Sequence, residues 1–138
     1  MIRRYDMSSN KKGFTLVELL AVIVILAIIL AIAVPGISGL IGNTRKGAFE
    51  SDVKMIITGI EYKVLEASLN DGINLPAEGS NIKSSIDEYG ADPNNYSSVT
   101  IVSYDPVTIS VTSKADSKFG AWTATNATRS SVTVQSVE

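Results

Sequence analysis

The chain has 138 residues with 12 basic and 14 acidic side chains, and it contains neither cysteine nor histidine. Without cysteine there is no disulfide and no thiolate chemistry, and without histidine the commonest general base and metal ligand are gone, which excludes hydrolytic triads and most zinc sites. Charge is uneven: residues 1–13 hold Arg3, Arg4, Lys11 and Lys12 against Asp6, a net +3, while the remainder carries −5, an acidic balance unsuited to non-specific nucleic-acid binding.

In chain order, the basic segment leads into Leu19 to Val34, sixteen apolar residues without interruption, and no charge falls between Glu18 and Arg45. As a helix the uncharged segment is roughly 40 Å long, enough to cross a hydrocarbon core of about 30 Å. The basic flank orients such a span with residues 1–13 in the cytoplasm and the C-terminal part outside. Glu18 sits at the head of this run, where a carboxylate in lipid calls for a partner. Pro35 removes a backbone donor, and Gly36, Gly39 and Gly42 lower helix propensity, so a kink or local unwinding is expected at Pro35 and Gly36.

A helical pattern then resumes. Phe49, Val53, Ile56, Ile57, Ile60, Val64 and Ala67 recur at spacings of three and four, and Glu50/Lys54 forms an i,i+4 pair on another face, which predicts an amphipathic helix over residues 43–69. Asn70-Asp71-Gly72 ends it, and Pro76 confirms the exit. Within the polar connection of residues 70–98, Ile82, Ile86 and Tyr89 suggest one short helix opening near Ser80 or Asn81. From Val99 the period changes to two, and "VTIVSY", "VTISVT", "FGAWTAT" and "SVTVQSV" read as four strands, separated by Asp105-Pro106, a Ser/Lys/Asp turn, and Asn126 to Ser130. Such short connections favour an antiparallel meander, whose dry face would cover the Phe49 to Val64 stripe. The fold expected is α+β: a long N-terminal helix of about 55 residues, half membrane-spanning and half amphipathic, packed on a small C-terminal antiparallel sheet.

Smaller features have plain readings. Asn95-Tyr96-Ser97 and Asn126-Ala127-Thr128 match the N-glycosylation pattern but read as loop residues. Asp87, Glu88 and Asp92 could gather calcium, yet their spacing fits no loop motif, and a solvated acidic loop is preferred. Trp122, the single tryptophan, is either an exposed adhesion residue or an anchor of the sheet, the latter preferred. No paired carboxylates stand in a catalytic motif, and there is no phosphate loop or metal set, so neither an enzyme nor a cofactor is expected.

The N-terminus admits three readings. A secretory signal peptide would use Ala31-Ile32-Ala33 as its cleavage site and release a binding domain starting at Val34. An uncleaved anchor would hold the head at the cell surface, with Thr15-x-x-Glu18 as a capping box. The third rests on the block "KKGFTLVELL", which with the apolar run to Pro35-Gly36 resembles the processing site of type IV prepilins and pseudopilins. The resemblance implies a cytoplasmic leader, residues 1–13, removed by prepilin peptidase between Gly13 and Phe14. It also implies methylation of the Phe14 amine and Glu18 as the assembly glutamate. It makes residues 14–42 a transmembrane helix that becomes the filament core, and residues 43–138 the head. The partners implied are copies of the same chain, the peptidase, an assembly platform with its ATPase, and minor pilins. The main expectation is a pilus subunit, in the membrane before assembly and at the cell surface after it, serving adhesion or twitching motility. The alternative within the family is a pseudopilin of type II secretion or competence DNA uptake.

Overall fold

A computed structural model describes residues 13–138, so residues 1–12, most of the expected leader, lie outside the described residues. One helix, α1, spans Leu16–Leu69. Contacts divide the chain between Gly39 and Leu40 into two compact units.

The first unit is apolar helix. None of its described residues is buried, and Leu20, Ile23 and Leu30 each keep more than half of their surface. Helical structure continues through Pro35 and Gly36 without the local unwinding expected there. Proline lacks an N–H, so the defect is confined to the Ala31 carbonyl, which loses its donor. Just beyond, the Ser38 hydroxyl donates to the Val34 carbonyl at 3.1 Å.

The second unit is an α+β head. Within it α1 runs to Leu69, and the chain turns where the Asn70 side chain accepts from the Gly72 N–H at 3.2 Å. Phe49, Val53, Ile56, Ile57 and Ile60 are buried along one helical face, as their spacing requires, each contributing about 1.5–3 kcal/mol of apolar burial. Opposite stands a four-stranded antiparallel sheet in the order β1-β2-β3-β4, with β1 at Tyr96–Tyr104, β2 at Val107–Ser113, β3 at Trp122–Ala127 and β4 at Val134–Ser136. The meander is the one expected, and β2 alternates strictly, with Val107, Ile109, Val111 and Ser113 inward. The short helix is a 3₁₀ segment, Lys83–Tyr89, which carries Ile82, Ile86 and Tyr89 into the same core.

Strand limits differ from the expectation for identifiable reasons. β1 starts at Tyr96, three residues early, because Tyr96 is fully buried and its phenol reaches Asp52 on α1. β3 starts at Trp122, because Gly120 takes φ 82° and breaks the extended path after Phe119. The Ser113 hydroxyl then organises that loop, donating to the Gly120 carbonyl and accepting from the Trp122 N–H at 2.9 Å. Asn126, read as a loop residue, lies inside β3 with φ 52°. β4 is shortened because Thr128 and Ser131 exchange backbone hydrogen bonds in the preceding turn.

Candidate functional site

The site is the entrance to α1. Gly13, Phe14 and Thr15 precede the helix in non-helical conformation, and all are exposed, Phe14 at 93%. The Gly13–Phe14 peptide bond therefore lies on open chain, two residues ahead of the first helical one. A Cβ added at Gly13 meets nothing within 4 Å, and its φ is not in the left-handed region. Among the described residues, nothing requires glycine there.

The first turn is closed by a reciprocal pair. The Thr15 N–H donates to Glu18 Oε2 at 3.0 Å, and the Glu18 N–H donates to Thr15 Oγ1 at 3.2 Å. This is a capping box, two of the four free N–H groups at the helix start being met by side chains. It also aims the Glu18 carboxylate back toward residue 14, and Phe14 and Glu18 line one concavity with Leu19 and Val22. A carboxylate has acceptor sites for several donors, so the Thr15 N–H does not exhaust it. Behind this turn, α1 is long and apolar enough to cross a membrane, and its most apolar window is wholly unburied.

Residues 8–34 match the family model of the prokaryotic N-terminal methylation motif. In this segment the chain is similar to the class III signal peptides of type IV pilin-like proteins. Comparison with curated proteins and with solved structures returns no match. The pilin-like motif spans the basic flank, Gly13, Phe14, Glu18 and the apolar run to Val34, and it stops one residue before Pro35.

Other expected features of the chain fall as follows. Pro35 and Gly36 are exposed positions within α1. Asp92 accepts from the Asn94 N–H at 2.9 Å as the cap of a 3₁₀ turn, and among the described residues no acidic cluster is arranged to hold a metal ion. Trp122 packs against the core and its indole N–H donates to the Phe119 carbonyl at 2.8 Å, the anchor reading of the two.

Two determinants of the head carry no signal in sequence spacing. The Tyr96 hydroxyl donates to Asp52 Oδ2 across 44 positions, and burial raises the Asp52 carboxyl above its ordinary 3.8 while Lys118 partly opposes the shift. Gly59 lets α1 approach the 3₁₀ segment so closely that a Cβ would stand 2.7 Å from the Tyr89 carbonyl oxygen. The one available hint was a glycine inside an amphipathic pattern, where close packing is a common cause.

Proposed function

We propose that the chain is the structural subunit of a type IV pilus, processed between Gly13 and Phe14 and polymerised through α1. The observation that carries this is the placement of the methylation motif at the open mouth of an apolar helix that the fold leaves uncovered. A glycine at position 13 that no contact among the described residues explains supports the reading, since a peptidase closing on the chain would supply the missing steric demand. Hydrolysis of the Gly13–Phe14 bond leaves a carboxylate on Gly13 and an amine on Phe14, and one methyl group on that amine keeps its positive charge. The Glu18 carboxylate, which shares a concavity with Phe14, would then meet its own amine in the lone subunit and a neighbour's amine in the filament. A unit pair at 4 Å is worth about 4 kcal/mol at an effective dielectric near 20, enough to set register between helices but not to hold a filament alone. Packing of the Leu19 to Val34 surfaces supplies the remainder.

In this reading the subunit sits in the cytoplasmic membrane with its N-terminus inside, and passes to the cell surface through an assembly platform and its ATPase. A head-to-tail interface between identical chains that does not close gives a helical fibre. A pseudopilin of secretion or DNA uptake would carry the same motif, and electron microscopy of surface filaments separates the two. Adhesion and twitching motility are the roles such a filament would serve.

The test is the mature N-terminus. Intact mass and N-terminal sequencing of the surface protein should show a chain beginning at Phe14 with one added methyl group. A chain beginning at Met1 or at Val34 would refute processing at this site. Glu18→Gln then separates pairing from capping, because glutamine serves in a capping box but cannot neutralise a cation. Cleavage should survive and filaments become sparse or absent; normal filaments would leave Glu18 with its capping role only.

A further inference from the structure

On the head, the face of α1 turned away from the core carries no charge along a three-and-four spacing. Met55, Tyr62, Leu65 and Leu69 stand on it, 45%, 75%, 57% and 82% exposed. At 3.6 residues per turn this row lies about half a turn from Phe49, Val53, Ile56 and Ile60, so the head cannot bury it. The row has two unlike ends. Toward Leu69 the large, exposed side chains of Tyr62, Leu65 and Leu69 stand up as a ridge, with Glu66 beside them and a shallow cleft between. Toward Thr44 the helix offers small ones, Thr44, Ala48 and Ser51, and together with Met55, Lys118 and Phe119 they line an open, mostly apolar groove of about 490 Å³.

The two ends are complementary in size and in charge. Small residues flooring a groove fit the large residues of a ridge, the arrangement by which facing helices interdigitate. Arg45 and Lys118 also border the groove, where the carboxyl of Asp52 is already engaged by Tyr96. Among the described residues Glu66 on the ridge is held only by Lys63, at 3.8 Å on the exposed surface, a contact of little strength. The ridge thus brings a weakly committed carboxylate to a groove bordered by two cations, a match that fixes partner and register.

We propose that the occupant of this groove is a second copy of the chain, whose Tyr62–Leu65–Leu69 ridge seats against Ala48, Ser51, Met55 and Phe119, with Glu66 meeting Lys118. The proposal rests on the filament reading and names one of the filament's head-to-head contacts. Ridge and groove are about two heptads apart on the helix, so successive copies are offset by ~21 Å along it. Copies inserted in one membrane share an orientation, which rules out the antiparallel pairing that would satisfy both patches in a closed dimer. Each copy therefore uses its groove on one neighbour and its ridge on another, and the series stays open.

The chain has no cysteine, so disulfide trapping starts from a silent background. Ser51 and Leu65 are exposed, and substituting them leaves the core untouched. In cells expressing the full chain and treated with copper phenanthroline, S51C/L65C should give a ladder of covalent dimers, trimers and higher multimers, and either single variant should stay monomeric. Glu66→Lys added to this pair should lower the multimer yield at least fivefold, and Lys118→Glu added to that should restore it. A double variant that stops at dimers, a single variant that crosslinks equally well, or an E66K yield that does not fall overturns the contact. Filaments without a ladder overturn the contact and keep the filament reading. A ladder in cells without filaments does the reverse, and the absence of both overturns both.

Discussion

Two residues show how local chemistry sets the limits of this fold. Glu18 completes a capping box whose two bonds, 3.0 and 3.2 Å, need no partner outside the first turn. The carboxylate is thus held at the helix start by the chain's own first turn, and in the proposed filament pairing would be a second use of the same geometry. Gly59 is a steric limit. Alanine would gain up to about 1 kcal/mol of helix propensity over glycine. Its Cβ, however, would meet the Tyr89 carbonyl oxygen at 2.7 Å and the Tyr89 Cα at 3.1 Å, both backbone atoms that cannot turn aside. Overpacking of this kind costs roughly 1–3 kcal/mol, so the clash wins. Gly59→Ala should lower the stability of the head by about 1–2 kcal/mol, measurable by denaturant titration followed through Trp122 fluorescence. A more stable variant would show that the 3₁₀ segment can move away freely.

Between elements, the tie from α1 to β1 is polar. Tyr96 is fully buried and its hydroxyl donates to Asp52, while Lys118 in the β2–β3 loop acts on the same carboxylate and Arg45 stands nearby on α1. Desolvation holds the Asp52 carboxyl above its ordinary 3.8, with the charge of Lys118 working against it. The sign follows. A carboxyl whose value is raised by folding favours the protonated fold, so its stabilisation is fully present below about pH 4 and is lost as pH rises through the raised value. Asp52→Asn should flatten this part of the stability profile as pH rises from about 4, which thermal melts taken upward from the acid range would detect. An unchanged slope would place the titration elsewhere. Tyr96→Phe should destabilise the head by about 1–3 kcal/mol at neutral pH, because it leaves a half-buried carboxylate without its donor.

At the scale of the whole molecule, the two units differ in what they lack. The core cluster runs from Phe49 to Val134 and lies entirely within Leu40–Glu138, so the head owns every residue of its own core. The apolar helix before it owns none, and so much exposed apolar surface is compatible only with lipid or with other chains. A fragment of residues 40–138 should therefore be soluble and fold with mixed helix and sheet, its circular dichroism spectrum and cooperative melt being the check. A disordered fragment would show that the head depends on the preceding helix.

Much of this was readable before any coordinates, and for a physical reason. Periodicity reports which side chains share a face, so the Phe49 to Ile60 stripe, the alternation of Val107, Ile109 and Val111, and the length of the Leu19 to Val34 run each declared an element and its buried side. The methylation motif was legible because it is a linear segment, whose residue types and spacing do not depend on folding. Contacts between elements have no such period. Asp52 meeting Tyr96, Gly59 pressed on Tyr89, and Lys118 and Phe119 closing a groove over Ala48 and Ser51 depend on how distant segments are brought together. The elements, a helix long and apolar enough to cross a membrane, and the methylation motif were all legible in the chain, since these follow from local pattern. The tertiary structure alone decided the polar tie, the glycine contact and the shape of the exposed face, since those are properties of packing.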